Sequence, residues 1–291
     1  MRTVHKIVHS VHEKSQIAGE GVESLGTNSL KEEIMTGRLD GKVVLLTGVG
    51  SGMGRETALL FAEEGATIVG CDMNENGAFE TQRLAAERGL TIDVTAPVDL
   101  ADVVAVESWV TASVSNFGRI DVLYNNASLP KFAPFDQMLD SEYEFTIRNE
   151  LDLVWRTSQA AWPHLINTRG NIVNIGSAAG IMGARALPQA AHAAAKGAVI
   201  ALTRQLAAEG VVNGIRVNCV SPGVMATPPI VSMYEALGDA APVAPIVERT
   251  LTGAPGDPRA VALAGMYLAS DDAAWITGIN LVVDGGASAF M

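Results

Sequence analysis

The chain has 291 residues, 48% hydrophobic and 18% charged, with 29 glycines. That apolar content excludes a disordered chain, and the glycines keep no three-residue period of a fibrous one. Twenty basic against thirty-two acidic side chains leave a net charge of -12, which repels a phosphate backbone and excludes nucleic acid as an expected partner.

Residues 1 to 38 are polar and weakly patterned, and Gly21, Gly26 and Gly37 interrupt any long helix, so this stretch is read as an N-terminal extension. Lys6, Glu13, Lys14 and Glu20 break every apolar run in it, so neither a signal peptide nor a membrane anchor is expected. His5, His9 and His12 would share one helix face at a spacing able to hold a metal. No cysteine or carboxylate trio completes such a site, so the preferred reading is an exposed amphipathic stretch, with no metal expected.

Residues 39 to 291 are read as one domain. Short β-branched runs alternate there with longer alanine-rich segments, which predicts an α/β fold: a doubly wound parallel sheet of about seven strands with helices on both faces. Strands are expected at Lys42 to Thr47, Thr67 to Asp72, Thr91 to Val98, Ile120 to Asn125, Gly170 to Ile175, Ile215 to Val220 and Asn280 to Val283. Helices are expected to begin near Met53, Gly77, Asp102, Ser141, Gln189 and Asp257. The two cysteines, Cys71 and Cys219, fall in strands, so buried thiols are expected rather than a disulfide, in keeping with a reducing cytoplasm.

The run Thr47-Gly48-Val49-Gly50-Ser51-Gly52-Met53-Gly54 stands where the first strand hands over to the first helix. Glycines let backbone approach a pyrophosphate closely, and the free N–H groups and positive dipole end of the helix attract it. Gly48, Ser51, Gly52, Met53 and Gly54 are therefore candidate cofactor-binding residues on a Rossmann-like unit. Asp72 closes the second strand, where a carboxylate accepts hydrogen bonds from the adenosine ribose and repels a 2′-phosphate. No Lys or Arg stands at Met73 or Asn74 to clamp such a phosphate, so NAD is expected rather than NADP.

These residues resemble the short-chain dehydrogenase/reductase family over essentially all of 39 to 291. Thr47 to Gly54 matches its glycine motif, and Asn125-Asn126-Ala127 its Asn-Asn-Ala stretch, with Ser128 where the family usually has glycine. The resemblance implies that Asp99 and Leu100 flank the adenine. It also implies that Asn126 lies in the cofactor site and that Pro222, Gly223, Val224 and Thr227 hold the nicotinamide end. Trp275-Ile276-Thr277-Gly278 and Val283-Asp284-Gly285-Gly286 fit its closing motifs.

The family exchanges hydride between a nicotinamide and an alcohol or carbonyl, using a tyrosine as acid or base, a serine on the substrate oxygen, a lysine and a relay asparagine. By resemblance Ser177 is the serine, and Lys196 is the lysine that tunes the acid/base and binds ribose. His192 occupies the tyrosine position. An imidazole exchanges protons near neutral pH, although it is shorter than a phenol and needs a closer substrate or a bridging water. Beside a cationic Lys196 a neutral imidazole is a competent base for alcohol oxidation. The alignment puts Glu150, rather than Asn149, at the asparagine position, with the register open by one. Among the tyrosines, Tyr124, Tyr143 and Tyr267 lie away from the pocket, which leaves Tyr234 as a weaker alternative to His192.

The segment Val224 to Pro255 carries Met225, Ile230, Val231, Met233 and Tyr234 and by resemblance covers a small, largely apolar substrate. Gln189 to Glu209 is apolar round most of its circumference; in the family the corresponding helices join dimers or tetramers, so a homo-oligomer is expected. The reading is an NAD-dependent oxidoreductase acting on a secondary alcohol or ketone with Ser177, His192, Lys196 and Glu150. A non-redox enzyme that uses bound NAD, or a silent NAD-binding protein, are the alternatives.

Overall fold

The computed structural model describes residues 37–289. The expected extension up to Thr36, with His5, His9 and His12, lies outside the described residues.

Chain order runs β1 (Val43–Thr47), α1 (Gly52–Glu63), β2 (Thr67–Cys71), α2 (Glu75–Glu87), β3 (Ile92–Thr95), α3 (Val103–Phe117) and β4 (Val122–Asn125). It continues with α4 (Asp140–Ile147), a π-helical turn (Arg148–Asp152), α5 (Leu153–Thr168), β5 (Asn171–Ile175), α6 (Ala190–Gly210) and β6 (Arg216–Pro222). The last elements are α7 (Pro228–Leu237), α8 (Ala244–Val247), α9 (Pro258–Ala269) and β7 (Asn280–Val283). The seven strands form one sheet in the order β3-β2-β1-β4-β5-β6-β7, parallel throughout. This is the expected Rossmann-like fold.

The strands are apolar runs because both faces of the sheet are covered. All five residues of β1 and of β5 are buried. One face packs Phe61 of α1 and Met266 of α9 around Tyr124, with Phe61 edge-on to Tyr124 at 5.4 Å. The other packs Trp109 of α3, Leu165 of α5 and Val199 of α6. Each such side chain removed from water contributes about 1.5–3 kcal/mol. Strand order reverses between β1 and β4, so the carboxyl ends of these two strands open a crevice.

Several boundaries move. β3 stops at Thr95 instead of Val98, because Pro97 has no N–H for the ladder. α2 starts at Glu75 instead of Gly77, capped by the Asn74 side chain, which accepts from Gly77 N at 3.1 Å. β6 continues to Pro222, whose partner is Val283. The segment Val224 to Pro255, read as a covering stretch, contains two helices, α7 and α8.

A neutral polar network is buried where β4 and β5 meet α5 and α6. Asn125 Nδ2 donates to Asn174 Oδ1 at 2.9 Å and to Ser158 Oγ at 3.2 Å. Thr157 Oγ1 donates to Asn125 Oδ1 at 2.7 Å, and Asn174 Nδ2 donates to Thr203 Oγ1 at 3.0 Å. It pins both strand ends against the helices that carry the site. Cys71 and Cys219 are buried free thiols, both pushed up chiefly by burial. Among the described residues no helix is long and apolar enough to cross a membrane, and no cluster of His, Cys, Asp and Glu could hold a metal.

Candidate active site

A cleft of about 470 Å³ opens over the crevice, and Gly48, Ser51, Gly52, Met53, Gly54, Asp72, Met73, Asp99, Leu100, Asn126 and Thr227 all line it. The fold thus brings together eleven candidate cofactor-binding residues, Met73 being included as the position next to Asp72. The turn needs glycine at particular points. Gly48 has φ +76°, and a Cβ on Gly54 would lie 1.8 Å from Gly48 O. At the start of α1, Ser51 makes no side-chain cap and the first turn has no acidic residue. Its N–H groups and dipole therefore face the cleft without a competing carboxylate, which suits a pyrophosphate.

Asp72 holds this turn as well as facing the cleft: one oxygen accepts from Gly50 N at 2.7 Å, the other from Asn74 N at 2.7 Å. Asn126 lines the cleft, but its amide is committed to the turn. Nδ2 donates to Thr47 O and Gly48 O, both at 3.1 Å, so it shapes the cradle. Two arginines were not foreseen. Arg55 donates to Gly50 O at 2.6 Å beneath the turn, and Arg148 pairs with Asp99 at 2.9 Å at the other end of the cleft. A base one turn into α1 is a readable signal for the first; the second joins distant segments and has none.

A second pocket, of about 220 Å³, shares Met53 and Thr227 with the cleft and contains Ser177, His192, Pro222, Gly223 and Val224. Phe132, Met182, Leu187, Met225, Ile230 and Val243 make most of its wall apolar. Val231, Met233 and Tyr234 are not part of that wall, and the Tyr234 hydroxyl is buried. Tyr234 thus does not take the route into the pocket that its sequence position suggests.

Ser177 follows β5 and caps a short 3₁₀ turn, its Oγ accepting from Ala179 N at 3.1 Å. His192 and Lys196 lie one turn apart on α6 and face the same way. His192 Nε2 is 3.3 Å from Ser177 Oγ, while Nδ1 is 2.8 Å from each oxygen of Glu150. Against an ionised carboxylate, which only accepts, a neutral ring carries its hydrogen on Nδ1 and turns a bare Nε2 to Ser177. The Phe132 ring packs edgewise on His192, centroids 5.8 Å apart.

Glu150 is wholly buried. It is held from three sides: by His192, by Ser128 Oγ donating at 2.5 Å, and by Lys196 Nζ at 4.0 Å. The π-helical turn positions it. Asn149, the other choice, lines the cofactor cleft and donates instead to Phe145 O at 2.8 Å. Lys196 donates to Ile175 O at 3.0 Å and lines neither pocket. Burial pushes its ammonium below the ordinary lysine range, partly offset by Glu150. Its ammonium also stands 4.0 Å from Glu150 Oε1. Ser128, where the family has glycine, had no role from sequence; its bond to Glu150 supplies one.

Comparison with known proteins agrees with this geometry. A family model described as Enoyl-(Acyl carrier protein) reductase matches residues 48–288. The chain is 36% identical over 253 residues to (2S)-[(R)-hydroxy(phenyl)methyl]succinyl-CoA dehydrogenase subunit BbsD of Thauera aromatica, covering 87% of this chain and 98% of the relative. It is 37% identical over 251 residues to 3-oxoacyl-[acyl-carrier-protein] reductase FabG of Vibrio harveyi, covering 85% and 98%. A crystal structure from Burkholderia xenovorans, assigned to the short-chain dehydrogenases/reductases, superposes with a TM-score of 0.83 at 33% identity, covering 88% of this chain and 99% of that one. The chain belongs to the short-chain dehydrogenase/reductase family, oxidoreductases that use a nicotinamide cofactor on alcohols and ketones.

Proposed function

We propose that this chain is an NAD-dependent oxidoreductase that interconverts a secondary alcohol and a ketone on a small, largely apolar molecule, with His192 as acid and base. The observation that carries this reading is the position of His192 Nε2, 3.3 Å from Ser177 Oγ in a pocket that shares Met53 and Thr227 with the nucleotide cleft. Asp72 facing that cleft, with no arginine or lysine at positions 73 and 74, supports NAD over NADP. The Thauera relative's name describes a secondary alcohol beside a phenyl ring, in keeping with the apolar wall.

The glycine turn and α1 would hold the pyrophosphate, Asp72 the adenosine ribose, and Pro222 to Val224 with Thr227 the nicotinamide end. When bound there, a nicotinamide supplies the hydride acceptor or donor. Ser177 Oγ orients the substrate oxygen. In oxidation His192 Nε2 takes the hydroxyl proton as hydride departs; in reduction it returns that proton to the carbonyl oxygen. Glu150 stabilises the imidazolium that forms, and Ser128 and Lys196 keep Glu150 in place. The groove between α5 and α6, lined by Trp155, Trp162 and Leu206, leaves apolar surface on the helices expected to join subunits, which supports a homo-oligomer.

The test is incubation with NAD and a panel of cyclic and aromatic secondary alcohols, following NADH absorbance and substrate loss separately. NADH formed with ketone product is expected. Substrate loss without NADH would contradict the redox reading.

A further inference from the structure

Ser177, His192 and Glu150 also form the geometry of a nucleophile, a general base and an orienting carboxylate. Ser177 Oγ stands 3.3 Å from the bare Nε2, and the opposite nitrogen is anchored at 2.8 Å to a fully buried carboxylate. Such a constellation is recognised by roles and distances, whatever the fold or chain order. Three further features favour it. Ala179 N donates to Ser177 Oγ, which leaves the hydroxyl hydrogen uncommitted and available to His192. Ser128 and Lys196 fix the carboxylate against rotation. The pocket wall is largely apolar and includes one side-chain amide, Gln189, a donor type that oxyanion sites use.

We propose that this site hydrolyses carboxylic esters with small apolar acyl groups, without any nicotinamide. Ser177 Oγ bonds to the ester carbonyl carbon as its proton passes to His192 Nε2. The bond from that carbon to the alkoxy oxygen breaks, and the proton leaves with the alcohol. Water then gives a proton to Nε2 and its oxygen to the acyl carbon, the bond to Oγ breaks, and Ser177 regains its hydrogen. Ester and water become acid and alcohol, with no change of oxidation state. This activity stands apart from the redox reading, since no hydride moves.

The experiment uses the full chain freed of nucleotide, with p-nitrophenyl butyrate as the ester and diisopropyl fluorophosphate as a covalent probe. Saturable p-nitrophenolate release is expected, together with one phosphoryl adduct mapped by mass spectrometry to the Ser177 peptide. Ser177→Ala is expected to slow release by roughly 100-fold or more, and Glu150→Gln by roughly tenfold. Labelling of the wild-type chain does not depend on any variant folding. An adduct absent from Ser177, or release by Ser177→Ala at the wild-type rate, overturns the proposal. NADH formation from alcohols without ester hydrolysis would overturn it too, while leaving the redox reading intact.

Discussion

Two groups of polar side chains lie beside the carboxyl ends of β4 and β5, one buried throughout and one running from the interior out to the pockets, and they solve the same problem differently. Asn125, Asn174, Thr157, Ser158 and Thr203 are neutral and satisfy one another by hydrogen bonds. Glu150 and Lys196 place charge in the interior, where an unpaired ion costs several kcal/mol, with the half-buried His192 and exposed Ser128 bonded to Glu150. The neutral group touches neither pocket wall except through Ser158 on the outer α5–α6 groove. The charged group ends on His192, in the reaction pocket. A protein that needed only to fasten α5 and α6 to the sheet has done so with amides and hydroxyls. On the proposed mechanism the buried charge one layer above serves a proton that must be moved, because a carboxylate stabilises an imidazolium as no amide does.

Breaking each group in turn separates these roles. The largest effect is expected from Lys196→Met, which leaves Glu150 without its cation and should cost about 3–5 kcal/mol in urea unfolding, with turnover falling as well. Glu150→Gln comes next. It should lower kcat for alcohol oxidation by roughly tenfold with NAD binding kept, because a neutral amide cannot balance the charge of a protonated ring. An unchanged kcat would remove Glu150 from the mechanism. Thr203→Val takes the partner from Asn174 Nδ2 and should cost about 1–3 kcal/mol of stability with kcat within about twofold of wild type. A change in pH profile in that variant would erase the distinction between the two groups.

How far these features were legible in the sequence follows the same division. β-branched runs and the turn from Thr47 to Gly54 announced the sheet and the nucleotide cleft, because a parallel strand buried on both faces and a backbone that must approach phosphate leave local composition signals. The boundary at Pro97 was also readable, since a residue without N–H cannot continue a ladder. The reactive end was only partly so. Its residues sit at motif positions, but the choice between the neighbours Glu150 and Asn149 needed coordinates. Ser128 and Arg148 act across distant segments, 22 and 49 positions from their partners, and no local pattern records such pairings. Lys196 was placed on the right helix, yet its buried position behind Glu150 depends on packing.

The central claim is that the imidazole of His192 carries the reacting proton. Chemical rescue tests it most directly: kcat for NAD-linked alcohol oxidation is measured for His192→Ala with and without added imidazole, with NAD binding followed as a check on folding. The account predicts a fall of roughly 10²–10⁴-fold that free imidazole partly restores in a saturable, pH-dependent way. Turnover at the wild-type rate in His192→Ala would contradict it.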